Sequence, residues 1–135
     1  MSDTFSDDLK QLIDSTPVFA VVATVQPDGS SQQSVVWLQR DGGDLLFSTT
    51  VGRRKEQNPR RDPRVSIMAN PPNAPYTCAE IRGTAEATTE GGQRLIDELS
   101  LKYTGKKYRD FDPASGDDAQ RAAVRATPRK VVGNI

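Results

Sequence analysis

Short apolar runs alternate with clusters of turn-forming residues along most of the chain, and this pattern predicts strands joined by hairpins. Val18 to Val25 is apolar and rich in β-branched residues, which predicts a first strand. Gln26-Pro27-Asp28-Gly29 supplies turn chemistry, and a second strand is expected over Gln32 to Gln39. Asp41-Gly42-Gly43-Asp44 turns the chain again into a third strand, Leu45 to Thr49. These three read as an antiparallel meander. Ahead of them, Ser6 is placed to cap a short helix in which Leu9, Leu12 and Ile13 share one face, and Pro17 ends it.

Residues 51–64 are polar and predict a short helix with loop ends. Pro59 is awkward inside a helix and suggests a shortened one, although Asn58-Pro59 also suits a fresh start as cap and first residue. Arg64 to Asn70 predicts a fourth strand, Pro71 to Pro75 a rigid loop, and Tyr76 to Thr88 a long fifth strand bent at Gly83. Glu90 to Tyr103 reads as a helix burying Leu95, Ile96 and Leu99. Thr104 to Asp118 reads as an exposed loop flanked by Lys102, Tyr103, Lys106, Lys107 and Tyr108. Two short strands around Pro128, Ala122 to Ala126 and Lys130 to Val132, close the chain. The expected fold class is mainly β: a split antiparallel barrel with a few short helices, in one domain over residues 1–135.

Composition narrows the chemistry. The 135 residues suffice for a real core without disulfides or metal. Eighteen basic residues balance eighteen acidic ones, so no overall field draws the chain to nucleic acid or membrane. Histidine is absent, which removes Ser-His-Asp and Cys-His catalysis and histidine zinc sites. A single cysteine, Cys78, allows neither an internal disulfide nor a thiolate metal cluster, and reads as a small buried strand residue. With acidic residues at the N-terminus in place of a leader, and a longest apolar run of only Val18 to Ala23, a reducing cytoplasm is the expected location. Catalysis here calls for a bound cofactor, carboxylates, hydroxyls or Arg and Lys.

The most informative segment is Ser48-Thr49-Thr50-Val51-Gly52-Arg53-Arg54-Lys55. Hydroxyls at a strand end, a glycine and three successive cations converge where a helix is expected to begin. That combination suits a phosphate monoester, and Asn58 adds a donor one turn on. The competing reading is a solvated basic helix balanced by Glu56 and Asp62. A nucleic-acid patch fits less well, because no aromatic residues interleave with the cations. Gln32, Gln33, Ser34, Val35, Val36 and Trp37 alternate polar and apolar, so a flat ring could lie along this strand, with Trp37 either a wall or simply core.

Taken in order, Ala20-Val21-Val22-Ala23-Thr24-Val25-Gln26-Pro27-Asp28-Gly29-Ser30, Val35-Val36-Trp37, Leu45-Leu46-Phe47-Ser48-Thr49-Thr50 and Gly52-Arg53-Arg54-Lys55 resemble the pyridoxamine 5'-phosphate oxidase-like split β-barrel family. Arg61-Asp62-Pro63-Arg64-Val65-Ser66, Glu80-Ile81-Arg82-Gly83-Thr84-Ala85, Lys102-Tyr103-Thr104-Gly105 and Pro128-Arg129-Lys130-Val131-Val132-Gly133 extend the likeness over nearly the whole chain after about residue 8. Within the family the chain looks most like the branch that uses the deazaflavin coenzyme F420. The resemblance implies a homodimer with cofactor sites at the subunit interface. It implies that Lys55, with Arg53 and Asn58, meets the cofactor phosphate. It has Ser48, Thr49 and Thr50 line the ring and ribityl chain, and Gln33, Ser34, Val35, Val36 and Trp37 run beside the deazaflavin. Cys78, Ala79, Glu80 and Ile81 would come from the other subunit.

The expected reaction is hydride transfer between reduced F420 and an electron-poor small acceptor such as an enone, a quinone or a biliverdin-like compound. No catalytic acid or base is assigned. The alternatives are an FMN-dependent enzyme of the same fold and a non-catalytic carrier of F420 or flavin. Extra cations at Arg54, Arg60, Arg61 and Arg64 favour F420, whose acidic tail continues beyond the phosphate.

Overall fold

The computed structural model describes residues 5–112 and 120–135. Its elements are α1 (Asp7–Ser15), β1 (Phe19–Val25), β2 (Ser31–Val36), β3 (Gln39–Asp41), β4 (Asp44–Thr50), α2 (Arg54–Arg61), β5 (Arg64–Asn70), β6 (Ala79–Thr88), α3 (Gly92–Thr104), α4 (Tyr108–Phe111) and β7 (Arg121–Gly133). The strands form one antiparallel sheet in the order β2-β1-β5-β6-β7-β4-β3. β2 and β3 lie at opposite ends of that order, yet Trp37 and Leu38 alone connect them. Three Cα steps span at most about 11 Å, so the sheet must curl until its ends meet. The fold is therefore a split antiparallel β-barrel.

Side-chain alternation builds the core. Ala20 and Val22, Leu45 and Phe47, Ile67 and Ala69, Ala79 and Ile81, and Val124 and Ala126 are inward positions, all buried. Helix α1 packs its apolar face onto them. Ser6 Oγ accepts the Leu9 N–H at 3.1 Å, Asp7 and Asp8 sit in the favourable first turn, and Leu9 and Ile13 are both buried. Each of these two side chains contributes about 1.5–3 kcal/mol by leaving water.

Five local expectations are corrected. The predicted strand Gln32 to Gln39 is broken at Trp37-Leu38. There the Leu38 N–H donates to the Tyr103 hydroxyl at 3.0 Å, and the Leu38 carbonyl accepts from Lys102 Nζ at 2.9 Å. Side chains of α3 thus replace a strand neighbour. Tyr103 also donates to the Val18 carbonyl at 2.9 Å, and Lys102 to the Ile13 carbonyl. Neither side chain is part of a solvated loop margin: both fasten α3 to the barrel.

The two closing strands are one strand, β7. Pro128 is accommodated because it lies opposite Gly83, at a register shift between Arg82 and Gly83, and beyond Ala126, where pairing with β4 ends. A Cβ at Gly83 would come within 2.0 Å of the Thr127 carbonyl oxygen, so this close approach needs glycine. The predicted loop after Thr104 contains α4, and its 113–119 portion lies outside the described residues. Finally, Pro59 does not start a new helix. It sits inside α2, which runs on to Arg61, at the loss of one intrahelical hydrogen bond.

Candidate functional site

Between β4 and α2 the chain reverses at Gly52, whose φ of +97° favours glycine. The Gly52 N–H donates to the Glu56 carboxylate at 2.8 Å, and Glu56 also pairs with Arg60. Burial works to raise the Glu56 carboxyl, but the Gly52 N–H and Arg60 together hold it below its ordinary value. This acid is therefore tied into the loop, and the reversal is fixed.

The reversal delivers a cationic corner. Helix α2 begins at an extended Arg53 with no side-chain cap, and the N–H groups of Arg54 and Lys55 find no acceptor among the described residues. Arg121, on β7, is the cross-strand partner of Thr50. Lys55 is half-buried near both Arg53 and Arg121. Burial, then those two cations, push its ammonium below the ordinary lysine value. Among the described residues, none of Arg53, Lys55 and Arg121 has a carboxylate partner. Uncompensated cations beside free helical N–H groups suit a multiply charged phosphate.

An aromatic wall adjoins the corner. Arg121 lies over the Tyr108 ring at 4.6 Å. Trp37 stacks on Tyr103 at 5.5 Å between centroids, and meets Phe111 at 5.4 Å and Tyr108 at 6.3 Å edge-on. Trp37 thus belongs to a partly exposed cluster on α3 and α4 and is not core. Lys106 and Lys107 are exposed beside that cluster.

The other expected site residues do not all share one surface, because successive strand residues face opposite sides. Ser48 and Thr50 lie on the β4 face that bears the corner, and Ser48 Oγ is buried with no partner. Thr49 points into the core. On β2, Gln33 and Val35 are exposed, whereas Val36 is core and Ser34 Oγ is buried without a partner. On β6, Ala79 and Ile81 are core and Glu80 pairs with Arg82. Cys78 is half-buried, and its backbone exchanges two hydrogen bonds with Asn134.

Asn58 is buried in the barrel mouth, 0 % exposed. Its amide donates to Thr24 Oγ1 at 2.9 Å and Gln26 Oε1 at 3.1 Å, and its oxygen accepts from Arg61 at 3.3 Å. It is a structural tie and has no donor left for a ligand. The extra-cation argument also weakens: Arg60 pairs with Glu56, Arg64 with Asp62, and Arg61 donates to the Val25 carbonyl. Among the described residues, Arg54 alone of the four is left without such a tie. The sequence reading missed Arg121 and placed Tyr108 at a loop margin. Only strand pairing reveals that residue 121 returns beside Thr50.

A split antiparallel β-barrel with a cationic corner beside a cluster of aromatic rings is the class of protein these observations define. The chain belongs to the pyridoxamine 5'-phosphate oxidase family, whose model matches residues 5–134. Among solved structures it is similar to an F420 reductase, at 28% identity over 90% of this chain and 94% of that one, with a TM-score of 0.76. It is also similar to a conserved hypothetical protein of Mycobacterium tuberculosis, at 25% identity over 97% and 86% of the two chains, with a TM-score of 0.72. A pyridoxamine 5'-phosphate oxidase-related, FMN-binding protein of Nostoc punctiforme shares the fold at 18% identity, over 84% and 71%, with a TM-score of 0.59.

Proposed function

We propose that this protein is an F420-dependent oxidoreductase that moves hydride between the deazaflavin and an electron-poor small organic acceptor. The observation that carries this reading is the corner of Arg53, Lys55 and Arg121, unneutralised by any described carboxylate and set at an uncapped helix start. The likeness to the F420 reductase supports the deazaflavin over FMN. FMN shares the phosphate and the tricyclic ring, so it remains the second reading, supported by family membership.

The residues present fit such a cofactor. Lys55, Arg53 and Arg121, with the Arg54 and Lys55 N–H groups, would hold the phosphate. The buried, unpartnered Ser48 hydroxyl and Thr50 would meet the ribityl hydroxyls. Exposed Gln33 and Val35 would border the ring, and Trp37 with Phe111 would keep water from one side of it. The bound deazaflavin supplies the hydride from its C5. The chain supplies position, a dry wall and positive charge. No side chain is assigned as proton donor.

We also propose a homodimer. Val35, Val21, Met68, Glu80 and Val132 are successive cross-strand partners on the outer sheet face. Val35 is 70% exposed, and Met68 and Val132 are also exposed, next to an exposed Phe19. A second copy, related by a two-fold axis, is the proposed cover for this row. Among the described residues no helix is long and apolar enough to cross a membrane.

The test is titration of the purified protein with F420 and with FMN, followed by ligand fluorescence. F420 is expected to bind more tightly, and Lys55→Ala to weaken it by about 1.5–3 kcal/mol. An affinity untouched by Lys55→Ala removes the corner assignment, and tighter FMN binding moves the protein to the second reading.

A further inference from the structure

A second cationic concavity lies well away from the corner. It is a groove of about 530 Å³ on the outer sheet face. Arg64 of β5, Arg82 of β6 and Arg129 of β7 enter it, with the hydroxyls of Ser31, Ser66 and Thr84. Its apolar floor comes from Ala23 and Val25, and among the described residues no carboxylate lines it. Arg121 and Arg129 are eight residues apart on β7, so the two are separated by at most about 27 Å along the strand within one chain.

The fold makes this groove for identifiable reasons. The register shift between Arg82 and Gly83 bends β6, and Gly83 lets the backbone of Thr127 and Pro128 approach it closely there. Arg64 is held by Asp62 through Nε and Nη2, and Arg82 by Glu80 through Nε and Nη2. In both forks the Nη1 group has no partner among the described residues. Asp62 is held down at about 2, by its hydrogen bonds to Arg64 first, so it stays ionised and keeps its fork oriented at any working pH. Among the described residues Arg129 has no carboxylate partner at all. Its charge, and that of neighbouring Lys130, which pairs with Arg82 across the strands, leaves the groove net positive.

We propose that this groove is a binding site for a small organic anion carrying two or more carboxylate or phosphate groups on an apolar body, separate from the site of the cofactor phosphate. Three guanidinium groups from three strands read the charges, the hydroxyls read remaining oxygens, and the apolar floor takes the carbon frame. The volume lies in the ordinary range for a small-molecule site. The groove borders the apolar row proposed as the dimer face: Ala23, Ser66 and Arg82 are successive partners two residues along each strand from Val21, Met68 and Glu80. Binding is therefore measured on the full chain in its native oligomeric state.

Isothermal titration with citrate in low-salt buffer, with acetate as control, tests the proposal. Citrate should bind saturably at one equivalent per chain and acetate should not. Arg129→Gln should weaken citrate about tenfold or more, and Arg129→Lys, which keeps the charge but loses the fork, should also weaken it. Lys55→Ala should leave citrate affinity unchanged, while Arg129→Gln should leave FMN affinity unchanged, so this proposal and the cofactor reading fail separately. The proposal is overturned if citrate gives no saturable binding, or if Arg129→Gln does not weaken it. It is equally overturned if F420 displaces citrate while FMN does not, because the groove would then belong to the cofactor's own tail.

Discussion

The guanidinium of Arg121 lies over the ring of Tyr108, 4.6 Å from its centre. This contact joins the two halves of the candidate site: Arg121 is one of the corner's cations, and Tyr108 belongs to the wall around Trp37. The ring fixes a long side chain that would otherwise have to be ordered by the ligand itself.

Replacing Arg121 should therefore reveal its part in binding. Arg121→Gln is expected to weaken the cofactor by about 1.5–3 kcal/mol, as for a lost charge-assisted hydrogen bond. Tyr108→Leu, which removes only the ring beneath it, should cost about 0.5–1 kcal/mol. Fluorescence titration of both variants checks the order. A larger loss from Tyr108→Leu than from Arg121→Gln would contradict it.

The corner should also titrate. Burial, and then Arg53 and Arg121, hold Lys55 below its ordinary 10.5. A bound phosphate favours the protonated ammonium, so affinity should fall as pH rises through this lowered value, beginning below 10.5. The free protein should gain stability over the same window, because there the unfolded chain keeps a proton that the folded chain has lost. Cofactor titrations at alkaline pH, below 10.5, should show a slope that Lys55→Met abolishes.

Asn58 is predicted to matter for stability and not directly for binding. Asn58→Ala leaves Thr24 and Gln26 without their donor inside the barrel mouth. Urea unfolding should register a loss of about 2–3 kcal/mol. Cofactor affinity, measured well below the unfolding midpoint, should change little. A binding loss equal to that of Lys55→Ala would return Asn58 to the ligand.

Association should depend on the apolar row. Val35→Lys with Met68→Lys sets two cations on β2 and β5, on either side of Val21 in the proposed dimer face, where they disfavour a self-complementary contact. Sedimentation velocity should show dimer for the native chain and monomer for the double variant, with the circular dichroism spectrum preserved. A native chain that sediments as a monomer would remove the dimer proposal.

Much of the fold and part of the site could be read from residue order. Turn chemistry at Pro27-Asp28-Gly29 and Asp41-Gly42-Gly43 marks hairpins, and β-branched runs between them mark strands, because both signals are local. The cationic corner was legible for the same reason: Gly52 to Lys55 is one continuous segment. The family likeness added the ordering of these pieces. Side-chain direction was less well served, since a run such as Gln33 to Trp37 cannot turn every side chain to one ligand when alternate residues face the core.

The chain's order determined most of the strands and the turns between them, that they pair antiparallel, and that basic groups collect after β4. Tertiary structure alone decided that Arg121 returns beside Thr50, that Asn58 is turned inward, that Lys102 and Tyr103 break the second strand, and that Arg64, Arg82 and Arg129 share one groove. The physical reason is separation along the chain. Each of these outcomes depends on groups from segments tens of residues apart, brought together by sheet register or by burial, and no local pattern carries that information.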